Sequence, residues 1–230
     1  MKISPALIVT GIVAAVVLPV LLSRPPDNSV GSAVKGLPWQ IEIQPDGSTR
    51  VFDLVPGKSS LEDARNRFGS DVETAYVAAP GEPGEIEAYF PEITAGAVTG
   101  KMIVTADIAP DTLNKIRERA TAGAYMNSTT RKWVLAATDK DMVFHAPIKA
   151  IVFVPAINLD EQIVLQRFGT PAERIRTSED IEHFLYRERG LDLILDAKGR
   201  EVLQYVAPNR FETLRAPLLT KTSTDEGNAK

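Results

Sequence analysis

The sequence predicts an α+β protein: an N-terminal transmembrane helix, then two helix/antiparallel-meander/helix repeats that form a sheet with helices packed on one face. Three observations predict this architecture. Residues 5–23 are apolar and carry no charge. A short helix that ends in Arg-Phe-Gly occurs twice, about 100 residues apart. Short strands of alternating polarity, separated by glycine-containing turns, follow each copy.

The N-terminal segment has the length of a membrane span. Pro5 to Ser23 supplies about 19 uncharged residues, and a helix rising about 1.5 Å per residue then crosses a hydrocarbon core of about 30 Å. Lys2 before the span favours a cytoplasmic N-terminus. The alternative is a signal peptide cleaved near Gly31-Ser32-Ala33. We therefore expect a single-pass protein of the bacterial inner membrane with its C-terminal domain in the periplasm, or, after cleavage, a protein secreted to the periplasm.

Composition predicts where the folded part begins and ends. Proline, glycine and small polar residues after the apolar segment are typical of a linker, and the polar C-terminus has nothing to bury. The predicted divisions are a membrane anchor or signal segment at residues 1–23, a linker at 24–36 and a first α+β repeat with a leading hairpin at 37–124. They continue with a connecting segment and the second α+β repeat at 125–219, and a disordered tail at 220–230.

The first repeat begins with a predicted β-hairpin and a capped helix. Residues 39–43 and 49–54 alternate in polarity on either side of a Pro-Asp-Gly-Ser turn, which indicates a hairpin. Ser59 or Ser60 then precedes an apolar periodic stretch that ends at Gly69. A serine before the first turn and a glycine after the last are helix start and stop signals.

The second repeat is predicted from recurrence of the same short motifs. The recurring pairs are Val55-Pro56 with Val154-Pro155, Arg67-Phe68-Gly69 with Arg167-Phe168-Gly169, and Ala109-Pro110-Asp111 with Ala207-Pro208-Asn209. The predicted strands of the first repeat, 73–78, 85–90 and 101–107, match 181–187, 191–195 and 201–206 in the second. Between the repeats we expect an extended stretch at 130–136, a helix capped by Thr138, and a strand at 148–154.

Composition excludes several functional classes. The chain has 26 Lys+Arg against 30 Asp+Glu, a net charge of −4, so it lacks the positive field that nucleic-acid binding requires. It has no cysteine, which excludes disulfides and thiolate metal sites. We expect no nucleic-acid partner and no cofactor.

No pattern of residues predicts catalysis or metal binding. His145 and His183 are too far apart for a helical two-histidine motif, and the acidic neighbours of His183 indicate a solvated strand. Gly57-Lys58-Ser59 lacks the earlier glycine of a phosphate loop because Phe52 stands there. We therefore expect neither a metal site nor an enzyme.

Two carboxylate pairs and the repeated Arg-Phe-Gly also have structural explanations. Asp139 and Asp141 open a helix, where acids favour the positive end of its dipole. Asp192 and Asp196 flank a turn on a face predicted to be solvated. In Arg-Phe-Gly the Phe is a core anchor, the Gly a C-cap, and the Arg favours the helix C-terminus.

The second repeat resembles a known envelope module. Residues 159–171, followed by Phe184-Leu185-Tyr186, residues 190–196 and Gly199-Arg200-Glu201-Val202, are similar to the SmpA/OmlA-type module, which occurs in tandem in the β-lactamase-inhibitor-protein fold. The resemblance implies a small envelope module that binds other proteins and catalyses nothing. The lipid-bearing cysteine usual in that family is absent here, so the resemblance transfers no binding residue and no outer-membrane role.

The sequence thus predicts a non-catalytic, membrane-anchored protein whose repeat domain binds a protein partner in the envelope. Sheet aromatics often anchor interfaces, and the candidates are Trp39, Tyr89, Trp133, Tyr186 and Tyr205. One alternative is an accessory subunit that contacts an inner-membrane complex through residues 5–23. Another is an envelope enzyme or small-ligand-binding protein, which requires a pocket lined by His183 or the aromatics.

Overall fold

The computed structural model describes residues 34–121, 123 and 129–227. The predicted anchor or signal segment at 1–23 and most of the linker lie outside these residues. Among the helices in the described part of the chain, none combines the length and the apolar character needed to cross a membrane.

Helices and short strands alternate along the described chain. The helices are α1 (Leu61–Phe68), α2 (Pro110–Arg119), α3 (Ala137–His145), α4 (Glu161–Phe168) and α5 (Glu212–Gly227). The strands are β1 (Glu42–Ile43), β2 (Thr49–Arg50), β3 (Glu73–Ala78), β4 (Glu85–Ala95), β5 (Val98–Ala106), β6 (Arg131–Val134), β7 (Ile148–Pro155), β8 (Glu173–Arg176), β9 (Ile181–Tyr186), β10 (Leu191–Asp196) and β11 (Val202–Val206).

Nine of these strands form one antiparallel sheet in the order β6-β3-β4-β5-β7-β11-β10-β9-β8. The remaining two, β1 and β2, pair as the predicted leading hairpin. The predicted α+β class with a large antiparallel sheet is therefore confirmed.

The sheet is organised about the boundary between β7 and β11. Outward from this boundary one side runs β7, β5, β4, β3, and the other runs β11, β10, β9, β8. Because neighbouring strands are antiparallel, strands at equal distances from the boundary run in opposite directions, as a two-fold axis normal to the sheet requires. We call α1 with β3, β4, β5 and β7 the first half, and α4 with β8, β9, β10 and β11 the second half.

This equivalence differs from the strand matching predicted from the sequence. The prediction matched residues 73–78, which form β3, with residues 181–187. In the structure the strand equivalent to β3 is instead β8, which was not predicted. Three of the four residues of β8 are charged, so the strand lacks the apolar alternation that reveals a buried strand. Charged residues suit β8 because it is an edge strand, where they discourage pairing with another chain.

The main core lies on one face of the sheet, which we call the helix face. Apolar residues of α1, α2, α3 and α4 join its strand residues in one cluster. A row of cross-strand neighbours, each at most 1% exposed, runs across it: Phe90, Met102, Phe153, Leu203, Leu193 and Phe184. The row crosses the boundary and begins and ends on phenylalanine, so both halves share one core.

Helix α5 does not follow the prediction that the helices pack on one face. Leu214 and Leu218 of α5 cluster with Ile175 and Leu185, whose side chains alternate with those of the main core. We call this opposite side the far face. The helix also continues to Gly227, past residue 220, where composition predicts a disordered tail. A helix whose first turns are fixed by packing extends more readily than an isolated one, because its nucleus is already formed.

Each half opens with an equivalent capped helix, as the repeated motif predicts. The Ser60 hydroxyl accepts from the backbone N–H of Asp63, and the Asp160 carboxylate accepts from that of Ile163 at 2.8 Å. Gly69 and Gly169 end the helices with φ of 102° and 77°, a region that favours glycine. The two halves therefore share the N-cap side chain and the C-terminal glycine of this helix.

The leading segment, residues 34–55, lies over the boundary between the halves. The Phe52 ring packs 5.4 Å from that of Phe153 in β7 and 5.3 Å from that of Tyr205 in β11. Phe52 and Asp53 have φ of 58° and 66°, a conformation that costs a non-glycine residue on the order of 1 kcal/mol. Burial of the Phe52 ring, 1% exposed, offsets this cost.

Candidate functional site

The far face carries an apolar cluster built from strand residues alone. Its members are Ile103, Val152 and Val202, with the partly buried Tyr89, Val154 and Ile194. None of these residues belongs to a helix. The cluster therefore differs from the one beneath α5 and from the main core, both of which include helix residues.

Buried polar side chains gather on this same face. Strand alternation assigns each residue to a face, since side chains at i and i+2 share one. Of the eight buried polar or charged residues in the described chain, five fall on the far face: Glu87, Thr105, His183, Asp192 and Gln204. Burial of polar groups is costly without partners, so their concentration on one face marks it as the candidate functional site.

In the second half two of these groups bind each other. His183 Nδ1 lies 2.9 and 3.1 Å from the two carboxylate oxygens of Asp192, and the residues are 7% and 2% exposed. Burial raises the pKa of Asp192, while the hydrogen bond and charge of His183 oppose that rise. Gln204 stands opposite Asp192 across the strand pair.

The prediction that His183 and Asp192 are solvated is therefore wrong. Polar residues that alternate along an antiparallel strand face water only where that face is uncovered. Here Ile175 and Leu185, next to the pair in the sheet, pack against α5. The pairing depends on strand register, which the sequence alone does not give.

The His183–Asp192 pair has no nucleophile at the neighbouring positions of the face. Along β9 its neighbours at i±2 are Ile181 and Leu185, and across the sheet it faces Ile175 and Ile194. A His–carboxylate pair activates a hydroxyl or thiol only within hydrogen-bond reach. The geometry supports a structural hydrogen bond in the second half.

In the first half, Glu87 forms no hydrogen bond or ion pair with another residue of the described chain. The residue is 7% exposed, and burial, with a smaller contribution from the charge of Glu85, raises the pKa of Glu87 to about 7. No pattern in the sequence singles out Glu87. Alternation at residues 85–89 places Glu85, Glu87 and Tyr89 on one face, but only the register of the full sheet shows that Glu87 is buried there.

Two of the five predicted interface aromatics belong to the core. Tyr186 is 5% and Tyr205 1% exposed. Their hydroxyls donate to the backbone carbonyls of Gly169 at 2.9 Å and Pro38 at 3.0 Å. Both residues are therefore removed from the candidate surface, because alternation between apolar and polar positions does not distinguish a core aromatic from a surface one.

The other three predicted aromatics lie on different parts of the molecule. The Trp39 ring packs edge-on against Phe168 with centroids 6.2 Å apart, on the helix face. Trp133 packs 5.4 Å from Tyr76, also within the helix-face cluster. Tyr89 belongs to the far-face cluster. The structure thus keeps one of the five, Tyr89, at the candidate site.

The segment that resembles a phosphate loop has the predicted structural role. Lys58 forms an ion pair with Asp46 of the leading hairpin, and the Ser59 hydroxyl accepts from the backbone N–H of Val55 at 3.0 Å. Ser60 caps α1 through a reciprocal capping box. These contacts fix the hairpin and α1 relative to each other.

The Asp139/Asp141 pair is divided between two environments. Asp139, predicted to act only through the helix dipole, is 4% exposed and is bound by Arg119 through two hydrogen bonds of 2.6 and 3.0 Å. Asp141 is exposed, and its backbone carbonyl accepts a hydrogen bond from His145 Nδ1 at 2.8 Å. This bond, followed by the charge of Asp141, raises the pKa of His145.

Two clefts of the described surface lie away from the far-face cluster. One, of about 470 Å³, is lined partly by Arg50, Asn66 and Arg67, and the other, of about 370 Å³, partly by Thr112 and His145. Neither is lined by His183 or by a predicted interface aromatic. Within the described ranges no three metal-ligating side chains converge.

Comparisons with known proteins leave the function to be argued from the structure. The chain matches no family model, no curated protein and no solved structure at a significant level.

Proposed function

We propose that the protein is a non-catalytic, membrane-anchored envelope protein whose sheet binds a protein partner through its far face. The observation that carries the proposal is the apolar cluster of strand residues on that face. It contains no helix residue, and buried polar groups border it. Ile103, Val152 and Val202 are buried, and the partly buried Tyr89, Val154 and Ile194 bring the cluster to the surface. Apolar side chains with a polar border are typical of protein–protein contact sites.

The shape of this surface favours a protein partner over a small molecule. Small-ligand sites are concave pockets with a few convergent polar groups. The far-face cluster instead extends across β4, β5, β7, β11 and β10, five adjacent strands, which at about 4.8 Å per strand spacing gives a width of roughly 20 Å. An extended surface of this width matches a protein contact.

The membrane anchor is part of the same proposal. Residues 5–23 supply the span, and the bias of charge around them favours a periplasmic domain at the inner membrane. The leading segment then joins the linker directly to the core, through the hydrogen bond from Tyr205 to Pro38 and the packing of Trp39 on Phe168. A domain fixed in this way stays close to the membrane and to partners there.

We include the resemblance to the SmpA/OmlA module in this proposal. What it implies for this chain is a helix ending in glycine followed by an antiparallel meander, and a role in binding other envelope proteins. The helix from Glu161 to Phe168 and strands β9, β10 and β11 are consistent with that form.

Site-specific photocrosslinking in the cells that make the protein tests the proposed surface. A photoreactive amino acid replaces Tyr89 on the far face of the full-length chain, and Met142 on α3 serves as the control because it is 37% exposed on the helix side. We expect a discrete protein adduct from position 89 and none from position 142. Adducts from position 142 alone, or none from either, contradict the proposal.

Protease treatment of spheroplasts tests the location. The proposal predicts that the full-length protein stays in the membrane fraction after alkaline extraction and that external protease degrades the C-terminal domain. A protein released as a shortened soluble form supports the signal-peptide alternative. A protein protected from external protease contradicts both periplasmic assignments.

A further inference from the structure

The strongest unexplained feature of the far face is the carboxyl of Glu87. The residue is 7% exposed, and within the described chain only burial and the charge of Glu85 act on its carboxyl, with no hydrogen bond or ion pair to it. A buried carboxylate without a partner is unfavourable. In native proteins such a group calls for an explanation, either strain or an absent ligand.

The charged residues nearest to Glu87 along the strands already have partners. Glu85, two residues before it on β4, forms an ion pair with Lys149 of β7. Tyr89, two residues after it, belongs to the apolar cluster. Neither Glu85 nor Tyr89 offers Glu87 a positive charge.

The neighbouring strands do not supply a cation either. On β3, Glu73 shares the face, and Lys132 of β6 binds it at 2.6 Å. On β5, Thr105 stands opposite Glu87, and Lys101 lies four residues before Thr105, about 13 Å along the strand. The small residue Ala75 stands opposite Glu87 on β3. None of these described neighbours places a counter-ion beside the carboxyl of Glu87.

From this arrangement we propose that the far face around Glu87 receives a lysine or arginine side chain of the protein partner, with the Glu87 carboxylate as its counter-ion and the apolar cluster packing beside it. The inference rests on the proposed function and specifies the chemistry of the partner. A cation that meets a desolvated carboxylate inside an interface contributes strongly to specificity, because a neutral partner leaves that carboxylate unpaired.

The same geometry gives the interaction a pH dependence. Burial raises the pKa of Glu87 to about 7, and a docked cation favours its ionised form. The other charged groups near Glu87 on this face are held in two ion pairs, Glu85 with Lys149 and Glu73 with Lys132. Binding of a basic ligand therefore strengthens about tenfold from pH 6 to pH 8, as the ionised fraction of a group with that pKa rises.

A library of random displayed peptides selected on the full-length protein in nanodiscs tests the inference. Parallel selections use Tyr89→Ala, Glu87→Gln and, as a matched control far from this face, Glu161→Gln. Selected peptides are then synthesised, and their affinities are measured at pH 6 and pH 8. A second set replaces each lysine with norleucine and each arginine with citrulline.

The outcomes separate this inference from the proposed function. The inference predicts peptides that depend on Tyr89, are enriched in Lys or Arg, and lose at least tenfold in affinity with Glu87→Gln or with the neutral replacements, but not with Glu161→Gln. Peptides that depend on Tyr89 but bind Glu87→Gln equally well overturn the inference and leave the proposed surface intact. If no selected peptide depends on Tyr89, both are contradicted.

Discussion

The two halves of the sheet treat their far faces differently. In the second half, α5 packs over the face and the buried ionisable groups there, His183 and Asp192, bind each other. The far-face cluster, which extends from the first half across the boundary to β11 and β10, contains no helix residue. In the first half Glu87 has no partner within the described chain. A buried polar group that has a partner inside the protein stabilises the fold. A buried polar group without such a partner is available to bind another molecule.

The halves are much more alike on the helix face. Phe90 and Phe184 occupy equivalent ends of the same cross-strand row, and each half contributes one capped helix to the core. The difference between the halves is therefore confined to the far face. Substitutions at equivalent positions of the two halves should therefore change stability by similar amounts on the helix face and by different amounts on the far face.

The largest effect is expected from Phe90→Ala and Phe184→Ala. Both rings are at most 1% exposed, and removal of a buried phenylalanine side chain typically lowers the free energy of unfolding by about 3–5 kcal/mol. Because one core spans both halves, each variant should unfold in a single cooperative transition, measured by circular dichroism in denaturant. Two separate transitions in either variant refute the shared core.

A smaller loss is expected from Asp192→Ala in the second half. The substitution removes the partner of buried His183 and should lower the free energy of unfolding by about 3 kcal/mol. The double variant His183→Leu with Asp192→Leu is the control, since replacing both groups with apolar side chains of similar size restores much of the loss. If the single and double variants lose equally, the His183–Asp192 contact does not account for the effect.

Glu87→Gln in the first half is expected to raise the free energy of unfolding, whereas the two preceding substitutions lower it. The folded pKa of about 7 lies above the ordinary value of 4.5, so the folded state binds more protons between these values and the wild-type protein loses stability as pH rises through that window. Glutamine does not ionise and avoids the loss.

Urea unfolding of Glu87→Gln and wild type at two pH values measures this effect. At pH 8 the variant should be more stable by up to about 3 kcal/mol, and near pH 4 the two should be equal. A variant less stable than wild type at pH 8 shows that the ionised carboxylate has an internal partner, which contradicts the comparison between the halves.

The smallest effects are expected at the helix caps, where the halves are alike. Ser60→Ala and Asp160→Ala should each lower the free energy of unfolding by about 1 kcal/mol, the usual value of a helix N-cap. Ser60 also takes part in a reciprocal capping box, so its loss should be slightly the larger. Thermal unfolding of both variants checks this, and a loss above about 3 kcal/mol at either cap shows a role beyond capping.

The sequence predicted those features that local chemistry determines. The caps of α1 and α4, the leading hairpin and the central strand β7 follow from start and stop signals, turn residues and β-branched runs. Strand β8 was missed because its charged residues show no apolar period. The face covered by α5 was not predicted. Ala207-Pro208 matches the Ala109-Pro110 that opens α2, but it opens a 3-10 turn at Pro208–Arg210 ahead of α5, and such a local motif does not specify which face a helix covers.

The candidate site was less predictable than the fold. Of the aromatics selected from the sequence, Tyr89 alone lies in the far-face cluster. Asp192 was predicted to be solvated because it alternates with apolar neighbours, and no sequence pattern singled out Glu87. Their burial follows from strand order and from contacts between residues distant in sequence, such as Leu185 with α5. Pairing in a sheet depends on register, which no local pattern contains.

Hydroxyl-radical footprinting of the full-length protein tests the central claim most directly. Oxidation of Tyr89 is compared by mass spectrometry between native membranes and the purified protein in detergent, with exposed Met142 on α3 as the internal reference. If the far face of the first half binds a partner, Tyr89 is protected in native membranes and becomes more reactive after purification, while Met142 is unchanged. Equal reactivity of Tyr89 in both preparations contradicts the account.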